Sequence, residues 1–415
     1  MPAHDDGVLK RRRRIVRALR AIVPGEAVIA TESEMKPYET DGLTAYRQLP
    51  LVVVLPESTD QVARVLRYCH ENGIKVVPRG AGTSLSGGAL PLGDGVLLGM
   101  AKFNRVREID FANRVAVVEP GVTNLAVTQA VEHEGFYYAP DPSSQIACTI
   151  GGNLAENAGG VHCLKYGVTT NNVLGCELVL ITGDIVRLGG KHLDGAGYDL
   201  IGVVAGSEGL LGVVTEITVR ILKRPETARA LLIGFARSED AGACVGRIIA
   251  AGIIPGGIEM MDRLAIQAAE AFVAAGYPLD VEALLMVELD GPKVEVDHLV
   301  ERVAAIARTC GAATVRASAS DRERALFWAG RKAAFPAMGR ISPDYFCMDG
   351  TIPRAKLPDV LNRMREMSQA YGLRVANVFQ CRRRQPASAH SFTTPIRPVS
   401  SSARRHSAPT SSNYA

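Results

Sequence analysis

Ten residues, Arg79-Gly80-Ala81-Gly82-Thr83-Ser84-Leu85-Ser86-Gly87-Gly88, hold four glycines and three hydroxyl side chains, and they follow directly on a β-α-β pattern. Leu51-Val52-Val53-Val54-Leu55 is a continuous apolar run closed by Pro56, as in a strand buried on both faces. Ser58 and Gln61 form a capping-box pair, Val62, Val65, Leu66 and Cys69 recur at helical spacing, and Gly73 closes the helix. Lys75–Pro78 supplies a second strand, with a right-handed parallel crossover. Glycines placed there let backbone N–H groups close on an anion and take positive φ. The hydroxyls add donors and Arg79 adds charge, so the decad reads as a pyrophosphate cradle. Position 85 is Leu where the dinucleotide fingerprint needs its third glycine, and no Gly-Lys-Ser/Thr follows as in a P-loop. Alone, such a loop is as well explained as a tight structural turn.

It does not stand alone. Pro140-Asp141-Pro142-Ser143-Ser144 is a stiff polar turn, and a glycine-rich stretch from Thr149 to Gly160 follows it. A third segment runs Gly206-Ser207-Glu208-Gly209-Leu210-Leu211-Gly212-Val213-Val214-Thr215. Three glycine-dense loops between buried strands bring backbone close to a large flat ligand. Further strands are expected at 96–100, 115–119, 173–181 and 213–222, with helices near 123–134 and 198–205. From about 226, Ala-rich helices (240–251, 262–275, 295–310, 321–334) alternate with strands such as Leu284–Leu289 and Tyr345–Met348. That alternation indicates a second α+β domain with helices packed on a sheet.

The 415 residues, 47% apolar and 22% charged, are globular in composition and long enough for two or three domains. No apolar run approaches the ~18 residues of a membrane span. The basic run Lys10–Arg14 precedes apolar residues broken by Arg17 and Arg20, which disfavours a secretory signal. Stretch 10–20 reads as a solvated amphipathic helix face, with membrane-surface contact or organelle targeting as the alternative. Eight cysteines without a C-x-x-C pair suit reduced thiols and a cytoplasmic location.

The three segments RGAGTSLSGG, PDPSSQIACTIGGNLAENAGGVHCLKYG and AGSEGLLGVVTE resemble the FAD-binding domain of the vanillyl-alcohol oxidase / p-cresol methylhydroxylase superfamily. Within it they are most similar to the flavin subunits of bacterial glycolate oxidase and their D-lactate and D-2-hydroxyglutarate dehydrogenase relatives. The resemblance covers roughly 20–380 and implies an α+β chain. A two-part FAD-binding domain (47–225), comprising a small β-α-β part and a larger mixed part, would follow an N-terminal helical segment (1–46). An α+β cap domain with an antiparallel sheet (226–380), incomplete at its end, would then precede an unstructured tail (381–415).

By this resemblance Arg79, Gly80, Ala81, Gly82, Thr83, Ser84, Leu85, Gly87 and Gly88 would hold the pyrophosphate. Pro140, Ser144, Thr149, Gly151, Gly152, Asn153, Glu156, Asn157 and Val161 would line the ribityl chain and isoalloxazine. Glu208, Gly212, Val213 and Val214 would reach the ribose and adenine. No His or Cys lies in 79–88, where members with tethered flavin carry a His, so the implied FAD is non-covalent. His162 beside Cys163 is expected to pack behind the site rather than share a metal. Cys148 reads as a core filler and Trp328 as a core residue.

The implied reaction is oxidation of a small 2-hydroxy acid such as glycolate or D-lactate, with electrons passed to a second flavin-type subunit and an iron–sulfur subunit. Location at the inner face of a membrane would come through those partners. Such a reaction needs a cation for the carboxylate and a base or Lewis acid for the hydroxyl. Arg331, in Phe327-Trp328-Ala329-Gly330-Arg331-Lys332, matches the family's carboxylate-binding arginine, and a guanidinium fork pairs well with a carboxylate. An ether-lipid transferase of the same superfamily is disfavoured, because its extended substrate region is not found.

The family's divalent-metal site has no counterpart in the sequence. Val375–Phe379 matches the strand before its paired-histidine loop, yet Gln380-Cys381-Arg382-Arg383-Arg384 follows. His390 and His406 lie in a segment without acids, and no metal ligand is assigned. Residues 381–415 hold six Arg, eight Ser and four Pro but no Lys, Asp or Glu, so residues 1–380 carry −2 against +4 for the whole chain. Without interleaved aromatics this is a poor nucleic-acid arm. With one base dropped, a codon choice for QCRRRQPASAHS encodes His-Ala-Gly-Asp-Gly-Asn-Leu-His-Pro-Leu-Ile. From Thr393 the other shifted frame encodes Asp-Ala-Asn-Pro-Pro-Gly-Glu-Leu-Glu. The tail is therefore expected to be a misread frame that removes the metal loop, leaving FAD binding with poor turnover, in effect a catalytically impaired FAD-binding fragment.

Overall fold

The computed structural model describes residues 3–192, 197–343, 345–353 and 356–380, and the backbone of 387–395. The chain divides into two compact units, 1–160 with 167–224, and 161–166 with 225–415.

The first unit opens with a one-turn helix, Asp6–Lys10, and helix α1 (Arg12–Arg20). Strands β1 (Val28–Ile29) and β2 (Val52–Val54), helix α2 (Thr59–Glu71) and strands β3 (Lys75–Arg79) and β4 (Gly95–Gly99) follow. They form a sheet ordered β1-β2-β4-β3, with β2 and β3 each parallel to β4. Ser58 Oγ accepts the Gln61 N–H (3.3 Å) and Gln61 Oε1 accepts the Glu57 N–H (2.8 Å), while Gly73 ends the helix at φ +63°. Val8, Ile15, Val16 and Leu19 share one core with Val52, Val54, Val62 and Leu66. The N-terminal segment is thus built into this unit.

The larger part contains β5 (Val106–Asp110), β6 (Val115–Val118), α3 (Asn124–Val131), α4 (Ile150–Glu156), β7 (Val173–Val179), β8 (Ile185–Gly189), α5 (Leu200–Val204) and β9 (Val213–Arg220). Its antiparallel sheet is ordered β5-β6-β9-β7-β8.

The second unit contains β10 (Thr227–Phe235), α6 (Ser238–Ala250), β11 (Gly257–Asp262), α7 (Arg263–Val273), β12 (Ala283–Gly291), α8 (Lys293–Thr309), β13 (Ala312–Ala317) and α9 (Asp321–Lys332). It continues with β14 (Phe346–Ile352), α10 (Leu357–Tyr371), β15 (Leu373–Gln380) and β16 (Ala387–Pro395). All seven strands join one antiparallel sheet, β13-β10-β12-β11-β15-β16-β14. β12 is buried along almost its whole length because each face carries its own core.

Two differences from the sequence reading stand out. Residues 387–395 are a strand between β15 and β14, not part of an unstructured tail. Both neighbours would otherwise present unpaired backbone, and Ala387–Thr394 contains no proline to interrupt the ladder. The rest of the tail, 381–386 and 396–415, lies outside the described residues. In addition, Val161–Tyr166 leaves the FAD-domain stretch and belongs to the second unit.

Candidate active site

In the first unit the three glycine segments come together. β3 ends at Arg79, whose buried guanidinium donates to the carbonyls of Tyr38 (3.3 Å) and Ala89 (3.3 Å). Burial pulls its pKa down, with nearby Asp41 pushing back. Gly82 (φ +68°) bends around this group, and a Cβ there would lie 2.4 Å from Arg79 Nη2. Arg79 therefore braces the loop from behind, and its charge is spent on backbone carbonyls. Ala81 and Thr83 are exposed at the rim, and Ser84, Leu85, Gly87 and Gly88 are half-buried.

A Cβ on Gly80 would sit 2.3 Å from Thr149 Oγ1, so the first loop rests on the second. Thr149 caps α4 by accepting the Gly152 N–H (3.4 Å), and Gly151 is pressed against Pro120. Asn157 ends that helix at φ 49°, and its Oδ1 accepts the Thr170 N–H (3.0 Å). The third loop docks through Gly206 N–H to Leu154 O (2.9 Å) and Glu208 N–H to Ala155 O (2.8 Å). A Cβ on Gly88 would meet Glu208 Oε2 at 3.0 Å and Glu156 Oε1 at 3.2 Å. Ser86 Oγ donates to Glu156 Oε2 (3.3 Å) and shares a 2.8 Å bond with Ser84 Oγ.

The remaining assigned residues stand further back. Pro140 O accepts Asn124 Nδ2 (2.9 Å), and Ser144 O accepts the N–H of Ala147 and Cys148. Gly212 closes on Val179 O, while Val213 and Val214 are rungs of β9 against β7. Val161 belongs to the second unit, as a core residue against Gly257.

The cradle suits a flavin dinucleotide. Gly80 and Gly88, where a Cβ would collide, keep the backbone bare, and the rim hydroxyls add neutral donors. Glu156 is pushed up from the usual carboxylate range by burial, against the pull of the Ser84 hydroxyl, and Glu208 adds to the push. The neutral form so favoured lessens repulsion of a pyrophosphate.

In the second unit, α9 turns Arg324, Trp328 and Arg331 toward carboxylates on β11 and β12. Ser320 accepts the Glu323 N–H (3.2 Å) and Glu323 accepts the Ala319 N–H (2.6 Å), which fixes the helix start. Gly330 leaves room for Tyr277, whose hydroxyl donates to Phe327 O. Buried Glu288 binds His162 Nε2 (2.9 Å), Arg324 Nη1 (3.2 Å) and the Trp328 indole N–H. Burial alone would push its carboxyl up, but the His162 bond and charge, Arg324 and Trp328 outweigh it and hold it at about 2. Asp290, two residues along, takes Lys165 Nζ (2.9 Å) and the Tyr166 hydroxyl.

Arg331 is itself buried, with Nε (3.0 Å) and Nη2 (2.8 Å) both on Glu259 Oε2. Nη1 makes no hydrogen bond to a described residue, so Glu259 holds one edge of the guanidinium only. The sequence reading did not single out Glu259, Glu288 or Asp290. Their signal is a carboxylate inside an otherwise apolar strand run, GIEMMD and ALLMVELDG.

A family model described as "FAD binding domain" matches residues 50–189, and one described as "FAD linked oxidases, C-terminal domain" matches residues 224–384. The chain is 57% identical over 365 residues to the glycolate oxidase subunit GlcD of Escherichia coli K12, covering 88% of this chain and 73% of that protein. The chain belongs to the FAD-linked oxidases. It is also 30% identical over 370 residues to a D-lactate dehydrogenase of Anaerostipes hadrus, covering 87% of this chain and 78% of that one. The fold is shared with substrate-bound p-cresol methylhydroxylase at TM-score 0.80 and 16% identity, over 98% of this chain and 86% of that one. As an FAD-linked oxidase the chain uses FAD.

Proposed function

We propose that this chain oxidises a small 2-hydroxy acid of the glycolate or D-lactate type, using FAD, as the flavin subunit of a dehydrogenase complex. The observation that carries the reading is the half-clamped guanidinium of Arg331. A buried Arg held along one edge by Glu259 presents its remaining donors in a fixed direction, and a carboxylate is the anion that matches them. FAD, when bound, supplies the acceptor for the hydride that leaves Cα.

The residues of this chain bind and orient. Arg331 holds the carboxylate, and the indole of Trp328 and ring of Phe327, both buried beside it, keep water away. Glu288 fixes Trp328 and Arg324, which sets the pitch of α9 and the position of Arg331. Backbone and hydroxyl donors of 80–88 hold the pyrophosphate without a covalent tether. Electrons then pass to a partner, for which we favour a second flavin-type subunit and an iron–sulfur subunit. Contact with the inner face of a membrane would follow from such partners.

The metal implied by the resemblance carries no step here. Among the described residues no three His, Cys, Asp or Glu side chains stand together as a metal site. A second reading, FAD binding without turnover, is favoured by Gln380–Arg384 standing where the resemblance places a paired-histidine loop.

Dye-linked turnover with glycolate and D-lactate, set beside ethylene glycol, tests the proposal. Oxidation of the acids alone supports it. Equal oxidation of the uncharged diol overturns the role of Arg331, and no oxidation of either favours the second reading.

A further inference from the structure

We infer that the outer face of α1 is an electrostatic docking surface for an anionic lipid bilayer. This goes beyond the proposed reaction and does not depend on it. Residues 10–20 hold seven cations and no acid, whereas residues 1–380 as a whole carry −2. The other residues of 1–380 therefore sum to −9, so the positive charge is concentrated in this one stretch.

The fold sorts these cations by helical phase. Ile15, Val16 and Leu19 are buried in the core beneath α1, so the helix cannot roll. Arg12, on that inner side, donates to Leu51 O (3.0 Å) and Ala30 O, and Arg11 reaches Asn72 O (3.2 Å). Lys10, Arg13, Arg14, Arg17 and Arg20 are exposed on the outward side. None of the five has an ion-pair partner among the described residues. Nearby exposed arginines of α2 are by contrast engaged, Arg64 with Asp60 (3.5 Å) and Arg67 with Thr182 O (3.2 Å).

Five like charges along about three turns repel one another and persist at a cost unless a polyanion covers them. The chemistry favours lipid headgroups. Every large apolar side chain of α1 faces inward, so the helix can lie on a surface but not insert. It offers no aromatic ring for base stacking, as a single-stranded nucleic acid would require. A convex row of cations matches a continuous sheet of phosphates, where each Lys or Arg near the surface strengthens binding roughly fivefold.

Co-sedimentation of the full FAD-loaded chain with vesicles tests this. Vesicles of one-third phosphatidylglycerol in phosphatidylcholine should pellet the protein at low salt, and pure phosphatidylcholine should not. Binding should fall away as salt shortens the screening length below about 8 Å. The combined variant Arg13→Gln, Arg14→Gln, Arg17→Gln and Arg20→Gln should weaken binding on the order of a hundredfold or more. The four matching Lys substitutions should retain it, with unchanged flavin content in both. Arg382→Gln with Arg383→Gln and Arg384→Gln, which removes tail charge only, should leave binding in place. Equal binding to neutral vesicles, full binding by the Gln variant, loss through the tail variant alone, or tighter binding to a short DNA duplex than to anionic vesicles would each overturn the inference.

Discussion

Glu259 Oε2 accepts both Nε and Nη2 of Arg331, at 3.0 and 2.8 Å, across 72 residues of sequence and in a buried setting. The pair joins β11 to α9 and leaves the Nη1 side of the guanidinium available. A buried ion pair that leaves donors open is costly as a purely structural device, which is why we read it as a receptor for a third, anionic group.

Arg331→Met should lower kcat/KM for the hydroxy acid on the order of a hundredfold, mainly through KM. It also takes the Arg331 charge away from buried Glu259, so stability should fall by about 3–5 kcal/mol. Adding Glu259→Gln should restore part of the stability and none of the activity. Urea melts of the single and double variants measure this coupling directly.

Glu288 is held at about 2 against an ordinary 4.5. A depressed carboxyl contributes stability that is complete above 4.5 and is lost as pH falls toward 2. Acid titration of the wild-type fold should show this loss in that window. Glu288→Gln should be less stable at neutral pH, with His162, Arg324 and Trp328 deprived of their shared anion, and should lose less on acidification. Denaturant midpoints across pH decide it.

Gly80→Ala places a Cβ 2.3 Å from Thr149 Oγ1, a contact that requires one loop to move. We expect purified protein with much reduced flavin and a thermal midpoint somewhat below that of the flavin-free wild type, since overpacking costs about 1–3 kcal/mol. Absorbance at the flavin band against protein concentration provides the readout.

These sites differ in how far they could be read from sequence. The cradle was legible because its signal is local: glycines are conspicuous in a decad that follows a β-α-β pattern, and the three loops are each continuous. The helices of the second unit were legible through their Ala-rich runs, while caps such as Ser320 emerge only in the structure. Arg79 was legible as part of the cradle but not in its role, because its direction depends on the carbonyls of Tyr38 and Ala89. Glu259 and Glu288 were hidden because their partners come from α9 and from His162, far along the chain. The strand at 387–395 escaped notice because its composition is polar and its order comes from the two strands it pairs with.

Glu156 supplies a pH test of the cradle. Burial pushes its carboxyl up, so its neutral form persists above the ordinary carboxylate range, and ionisation as pH rises adds a negative charge beside the pyrophosphate site. FAD affinity should therefore weaken as pH climbs through that raised pKa. Glu156→Gln should flatten the dependence, as followed by flavin fluorescence on titration.

The most direct measurement is anaerobic mixing of the FAD-loaded chain with glycolate or D-lactate while the flavin band is monitored. At least one acid should bleach the wild type, and bleaching of Arg331→Met should be strongly slowed at the same acid concentration. An unchanged spectrum in the wild type at saturating concentrations of both acids, or equal bleaching in the two proteins, would contradict the proposed function.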